Sequence, residues 1–176
     1  GGPSDFYQFN TGTAVDVTPL SLFFAAPAAG ATGVPINQPV LLVFDSLLQA
    51  GSVGENVRIE KNGQPIAIDR LVGGEILELK PQKILEPFTV YRWVAEGLRD
   101  LAGNPQSAPL SGTFTTGARI DLRPLLLQSK EPADGATEVP RNAVISFHYS
   151  DPFNPRTIYI DPFGLRDLST FATIPY

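Results

Sequence analysis

Short alternating and apolar runs, each closed by a turn signal, dominate the chain. Val57-Arg-Ile-Glu-Lys61 alternates apolar and polar residues, as a half-buried strand does, and Asn62-Gly63 supplies the positive φ of a tight hairpin. Pro65-Ile-Ala-Ile68 returns from that turn, Gly73-Gly74 breaks it, and Glu75-Ile-Leu-Glu-Leu79 follows, closed by Pro81. Val40-Leu-Leu-Val-Phe44 is wholly apolar but only strand-length, which predicts a strand buried on both sides. Leu20 to Ala26 lies between Pro19 and Pro27. Phe88-Thr-Val-Tyr-Arg-Trp-Val-Ala95 reads as the longest strand, and Leu110 to Thr115 as the closing one. Adjacent Phe23 and Phe24 are expected to point to opposite faces. No window carries a helical period capped at both ends, and Gly51 to Asn56 has room for a single helical turn.

This pattern repeats. Pro27-Ala-Ala-Gly-Ala-Thr-Gly-Val-Pro35 returns as Pro132-Ala-Asp-Gly-Ala-Thr-Glu-Val-Pro140, an offset of 105 residues from Pro27 to Pro132. In the same register, Val15-Asp-Val-Thr-Pro-Leu20 matches Ile120-Asp-Leu-Arg-Pro-Leu125, Asn37 matches Asn142, and Val40–Phe44 matches Ile145–Tyr149. Near the start, Phe9 and Thr11-Gly12 match Phe114 and Thr116-Gly117. A period of about 100 residues suits one β-sandwich and its joint. The expected fold class is all-β: an antiparallel Ig-like β-sandwich, one complete module plus a partial second. Residues 1–18 form a lead-in that includes a strand like the end of a preceding module. Residues 19–117 form the complete sandwich, 118–127 the linker, and 128–176 the partial or abbreviated second module. Gly97-Leu-Arg-Asp-Leu101 recurs as Gly164-Leu-Arg-Asp-Leu168 at a spacing of 67, which leaves open whether the second copy has lost its middle strands.

Composition narrows the function. Gly 16 and Pro 17 fit many short strands joined by turns, and a net charge of −5 without any basic run offers no nucleic-acid footprint. No apolar run reaches membrane-spanning length. With no Cys, disulfides and thiolate metal sites are excluded. The chain also lacks Met, so Gly1 reads as a processed or fragment end, and a removed signal peptide would leave no trace.

The Pro132–Pro140 stretch, followed by Phe147-His-Tyr-Ser150 and Asp151-Pro152, resembles the opening of a bacterial Ig-like module of the SbsA-like type. Leu85-Glu-Pro-Phe-Thr-Val-Tyr91, Leu98-Arg-Asp-Leu-Ala-Gly-Asn104 and Gly112-Thr-Phe-Thr-Thr116 resemble the closing half of that family. The resemblance implies tandem β-sandwich modules on surface or secreted proteins, hence an extracellular or cell-envelope location. It fixes no role, because the sandwich serves many.

Individual residues take structural readings. Tyr91, after Leu85 and Pro87, sits where a tyrosine corner forms, and Trp93 shares its face and reads as core. Asp100 is placed to bond local amides in a loop where Gly103 takes a left-handed turn. Phe6 and Phe9 belong to the lead-in strand. Asp16 and Asp121 occupy matching joints and are calcium candidates, although calcium needs about six converging oxygens and no loop has dense Asp-x-Asp spacing. His148 is the only histidine, without partners for catalysis or metal binding. No nucleophile elbow, phosphate-cradling loop or paired-acid motif is present. No catalytic residue and no cofactor are therefore expected.

The expected function is a non-catalytic spacer, stalk or scaffold. Its partners are neighbouring Ig-like modules or other copies of the chain, with Phe6–Asn10 available to complete an incomplete module by strand addition. The alternative is an accessory ligand- or polysaccharide-binding module attached to a secreted enzyme.

Overall fold

A computed structural model describes residues 14–150. Its strands in chain order are β1 (Leu22–Ala26), β2 (Ala31–Val34), β3 (Val40–Phe44), β4 (Val57–Lys61), β5 (Gln64–Pro65), β6 (Ile68–Gly73), β7 (Ile76–Pro81), β8 (Val90–Ala95), β9 (Leu110–Thr116), β10 (Leu127–Glu131) and β11 (Ser146–Tyr149). Among the described residues the only helical element is a 3-10 turn, Ala50–Ser52. A four-stranded sheet, β1-β3-β7-β6, faces a five-stranded sheet, β2-β9-β8-β4-β5, and β10 and β11 form a third, two-stranded sheet. The architecture is an all-β Ig-like sandwich followed by the two-stranded β10–β11 sheet.

The core lies between the two large sheets. Val40, Leu42, Leu77 and Leu79 from one sheet meet Val57, Ile59, Trp93, Ala95 and Phe114 from the other, each at most 3% exposed. Burying one such large side chain stabilises the fold by roughly 1.5–3 kcal/mol. The wholly apolar run Val40–Phe44 is the strand flanked by β1 and β7. Alternation in β9 delivers Gly112, Phe114 and Thr116 to the interior. Asn62 (φ 52) and Gly63 (φ 74) make the tight turn between β4 and β5.

Three local expectations change, and one strand lies outside every run read above: Ala31–Val34 pairs parallel to β9, among the described residues the one parallel ladder in an otherwise antiparallel pattern. Phe23 and Phe24 both face solvent, at 80% and 46% exposure, because a bulge between Leu22 and Phe24 shifts the ladder to β3. The strand expected from Phe88 starts at Val90, since Phe88 takes φ 51. The return after the hairpin is split: Gln64–Pro65 pairs with β4, whereas Ile68–Gly73 crosses to the other sheet beside β7.

The 105-residue repeat extends to the hydrogen-bond register. Leu22↔Phe44, Phe24↔Val43, Ala25↔Leu42 and Ala26↔Leu41 in the first copy become Leu127↔Tyr149, Ser129↔His148, Lys130↔Phe147 and Glu131↔Ser146 in the second. The bulge recurs at the same place.

Candidate functional site at the module joints

Polar residues concentrate where the chain enters and leaves the sandwich. At the exit, Asn37 lies just before β3 and grips the departing linker with both ends of its amide. Its Nδ2 donates to the Asp121 carbonyl at 2.9 Å, and its Oδ1 accepts from the Asp121 N–H at 2.9 Å. The Ile36 N–H adds a bond to the Arg119 carbonyl at 3.2 Å, and the Gly117 N–H one to the Val34 carbonyl at 2.7 Å. Asp121 then folds the linker on itself. Its Oδ1 accepts from the Arg123 N–H (2.9 Å) and Nε (3.1 Å), and its Oδ2 from Arg123 Nη2 (2.9 Å). The Arg123 fork and N–H hold the Asp121 carboxyl well below the usual carboxylate range, at about 2.

The arriving joint repeats this design with other residues. Asp16 Oδ1 accepts from the Thr18 N–H at 2.9 Å, the same i to i+2 turn as Asp121 to Arg123. Asn104 Nδ2 donates to the Asp16 carbonyl at 3.2 Å, and Leu20 makes a parallel bridge to Gln106. Asn104 is itself held: Asp100 accepts from its N–H at 2.7 Å and from its Nδ2 at 2.9 Å. Burial of Asp100 raises its pKa, but the Asn104 side chain and the N–H groups of Asn104, Gly103 and Ala102 outweigh burial, so the net shift is downward. Gly103, at φ 93, gives the loop its left-handed step.

Tyr91 and Trp93 stand apart from both joints. The Tyr91 hydroxyl accepts from the Glu86 N–H at 3.0 Å, and its ring stacks on Phe114 with centroids 5.7 Å apart. Beside it, buried Thr116 donates its hydroxyl to the Glu86 carbonyl at 2.6 Å and accepts from the Thr89 N–H at 2.9 Å. Trp93 is 3% exposed and lies directly across the ladder from Gly112. Its Nε1 has no hydrogen-bond partner among the described residues. Phe6 and Phe9 lie outside the described residues, as does the Gly164–Leu168 recurrence.

Asp16, Asp45, Glu75 and Asp100 line an open depression of about 370 Å³ with Ser46, Leu47, Leu101 and Ala102. Three of these carboxylates are engaged locally: Asp16 by Thr18, Asp45 by the Ser21 N–H at 2.9 Å, and Asp100 by Asn104. Among the described residues no group of three or more His, Asp or Glu side chains converges as a metal would require. His148 is exposed on β11. The arrangement fixes backbone at the entry and exit of the sandwich.

Residues 16–116 match the bacterial Ig-like domain family. The chain belongs to that family. Among curated proteins it is similar to alkane uptake protein B of Marinobacter nauticus, 35% identical over 107 residues, covering 55% of this chain and 10% of that protein. The chain thus spans about a tenth of the length of that relative. Among solved structures it is similar to an L,D-transpeptidase from Mycobacterium smegmatis, with 21% identity and a TM-score of 0.41, covering 57% of this chain and 41% of that one. It is also similar to domains 1–6 of the surface layer protein SbsC, with 14% identity and a TM-score of 0.45, covering 64% and 15%.

For this family member, the residues that the sequence hid are the two clamps. An asparagine within two residues of a proline or glycine reads as a turn former. Only the recurrence of Asn37 as Asn142 marks it out, and Asn104 has no such marker.

Proposed function

We propose that this chain is a non-catalytic spacer or scaffold of the bacterial cell envelope or exterior, whose task is to hold successive Ig-like modules at a set spacing and angle. The observation that carries this reading is the double hydrogen bond of Asn37 to Asp121, which ties the linker to the folded module instead of leaving it free. Interfaces between domains of one chain move unless something fixes them. The family's occurrence in bacterial surface proteins supports the location.

The joint is tested by distance. The chain has no Cys, so spin labels placed through Gln64→Cys and Ser129→Cys are unique. Pulsed dipolar spectroscopy is expected to give one narrow distance distribution, broadened by Asn37→Ala. A distribution already broad with Asn37 in place, or one that Asn37→Ala leaves unaltered, sinks the reading.

A second reading, an accessory module that grips polysaccharide for a secreted enzyme, has one observation in its favour: Phe23 and Phe24 are both exposed on β1. Titration with envelope glycans tests it. Binding abolished by Phe23→Ala supports a grip, and absence of binding removes it.

A further inference from the structure

The four-stranded sheet of the sandwich is apolar on both faces. Its inward residues fill the core. Alternation turns the residues between them outward, and the ladders align these in rows. Phe24, Val43, Ile76 and Gly73 stand side by side across β1, β3, β7 and β6, and Ala26, Leu41, Glu78 and Leu71 form the next row. Ala26 and Leu41 are buried but lie outside the core cluster between the sheets, and Phe23, Phe24 and Leu71 are 80%, 46% and 41% exposed. The solvated face of an antiparallel sheet ordinarily carries polar residues. Here polarity returns only in a third row, where Asp69 lies opposite Lys80.

The repeat supplies an internal comparison. β10 and β11 pair in the register of β1 and β3, with the bulge at the same place. At the 105-residue offset the inward residues of β3 stay apolar: Val40, Leu42 and Phe44 become Ile145, Phe147 and Tyr149. The outward ones do not. Phe23, Phe24, Ala26, Leu41 and Val43 become Gln128, Ser129, Glu131, Ser146 and His148. The same hairpin therefore forms with a polar outer face, and folding alone does not account for the apolar one.

What suits this face is another like it. Within the two rows Glu78 is the one side chain able to hydrogen-bond, and it is only 9% exposed, so sugar hydroxyls and charged polymers find little to grip. At the rim Asp69 and Lys80 carry opposite charges side by side, so the face meets its own copy without a row of like charge. Four strands about 4.8 Å apart, each about five residues of 3.4 Å, give a footprint of roughly 300 Å². Two such faces cover roughly 600 Å², the scale of a weak, reversible contact.

We propose that two copies of this chain associate through the outer face of β1-β3-β7-β6, face to face about a two-fold axis, with Phe23 and Phe24 as anchors. Such a contact is isologous and closes at two chains, so it joins modules side by side. It goes beyond the spacer reading and does not rest on it.

Sedimentation equilibrium of the 176-residue chain is the test. The average mass should climb from one chain toward two between about 10 μM and 1 mM, the range of weak contacts. The double variant Phe23→Gln, Phe24→Ser installs the residues of the second copy and should weaken association at least about tenfold. Leu71→Asp, on the far strand, should do the same without touching β1. Ile84→Ser, at an exposed site outside this sheet, should change nothing. Trp93 fluorescence confirms that each variant keeps its core. A single-chain mass throughout, association indifferent to both face variants, or equal loss with Ile84→Ser overturns the proposal. Glycan binding through Phe23 and Phe24 by a chain that stays monomeric overturns it too, in favour of the polysaccharide reading. Asn37→Ala should leave the mass unaltered, so the joint and the face stand or fall separately.

Discussion

Gly112→Ala tests whether the core is as tightly specified as the Trp93–Gly112 pairing implies. A methyl carbon built on Gly112 would stand 2.6 Å from Trp93 Cζ2 and 2.7 Å from Cε2 and Nε1, where ordinary contact begins near 3.4 Å. The indole must therefore retreat by roughly 0.8 Å, the difference between 3.4 and 2.6 Å, into a close-packed interior. On the other side of Trp93, fully buried Ile59 lies opposite it on β4. Overpacking of this kind costs about 1–3 kcal/mol, and removing a strand glycine returns about 0.5–1 kcal/mol through the unfolded chain. The net expected loss is about 1–2 kcal/mol, a drop of about 1 M in the urea midpoint. Far-UV circular dichroism reads the transition without relying on the only Trp. Gly51→Ala is the control: nothing lies within 4 Å of its added carbon, so its change should stay within about 0.5 kcal/mol. In the Trp93→Phe background the Gly112→Ala loss should fall to about 0.5 kcal/mol or less, because the smaller ring vacates the contested space. If Gly112→Ala behaves like Gly51→Ala, or if its cost is the same in the Trp93→Phe background, the steric account is wrong.

Further predictions concern the corner and the carboxylates. Tyr91→Phe keeps the ring on Phe114 but leaves the Glu86 N–H without its acceptor. Thermal denaturation should show a loss of about 1–2 kcal/mol, and a change below about 0.3 kcal/mol would mean that the hydroxyl contributes nothing. The Asp121 carboxyl should titrate near 2 by NMR and move toward 3.8 in Arg123→Ala. Because its folded pKa is depressed, its contribution to stability is present above about 3.8 and is lost as pH falls through about 2. Asn104→Ala should raise the Asp100 pKa from its lowered position, and an unmoved titration would remove Asn104 as the cause.

Much of this fold is legible locally. Alternation marks Val57–Lys61, Asn62-Gly63 marks the hairpin, and the apolar run Val40–Phe44 marks a strand flanked on both sides. What escaped depends on partners distant in sequence. Ala31-Thr-Gly-Val34 has no strand pattern of its own and becomes one because β9 lies alongside it. Phe23 and Phe24 obey alternation only until a bulge displaces the ladder. Asn37 and Asn104 bond groups 84 and 88 residues away, and no local periodicity encodes such bonds. Gly112 reads as a weak point in a strand until the indole across the ladder is known. The repeat compensates in part, since it pairs Asp16 with Asp121, which make the same i to i+2 turn.

The parallel pairing of β2 with β9 also decides how the molecule responds to being pulled. Tension applied to the chain at Asp16 and Asp121 would load the sandwich from its entry to its exit. It therefore drags β2 and β9 in opposite directions along their common axis. The Gly30–Thr113 and Gly117–Val34 bonds at the two ends of this pair are then loaded together, in shear, rather than opened one after another. An antiparallel pair joined at one end would unzip under far less force. Among the described residues, the one ladder that breaks the antiparallel pattern is thus the one that such a pull would load in shear.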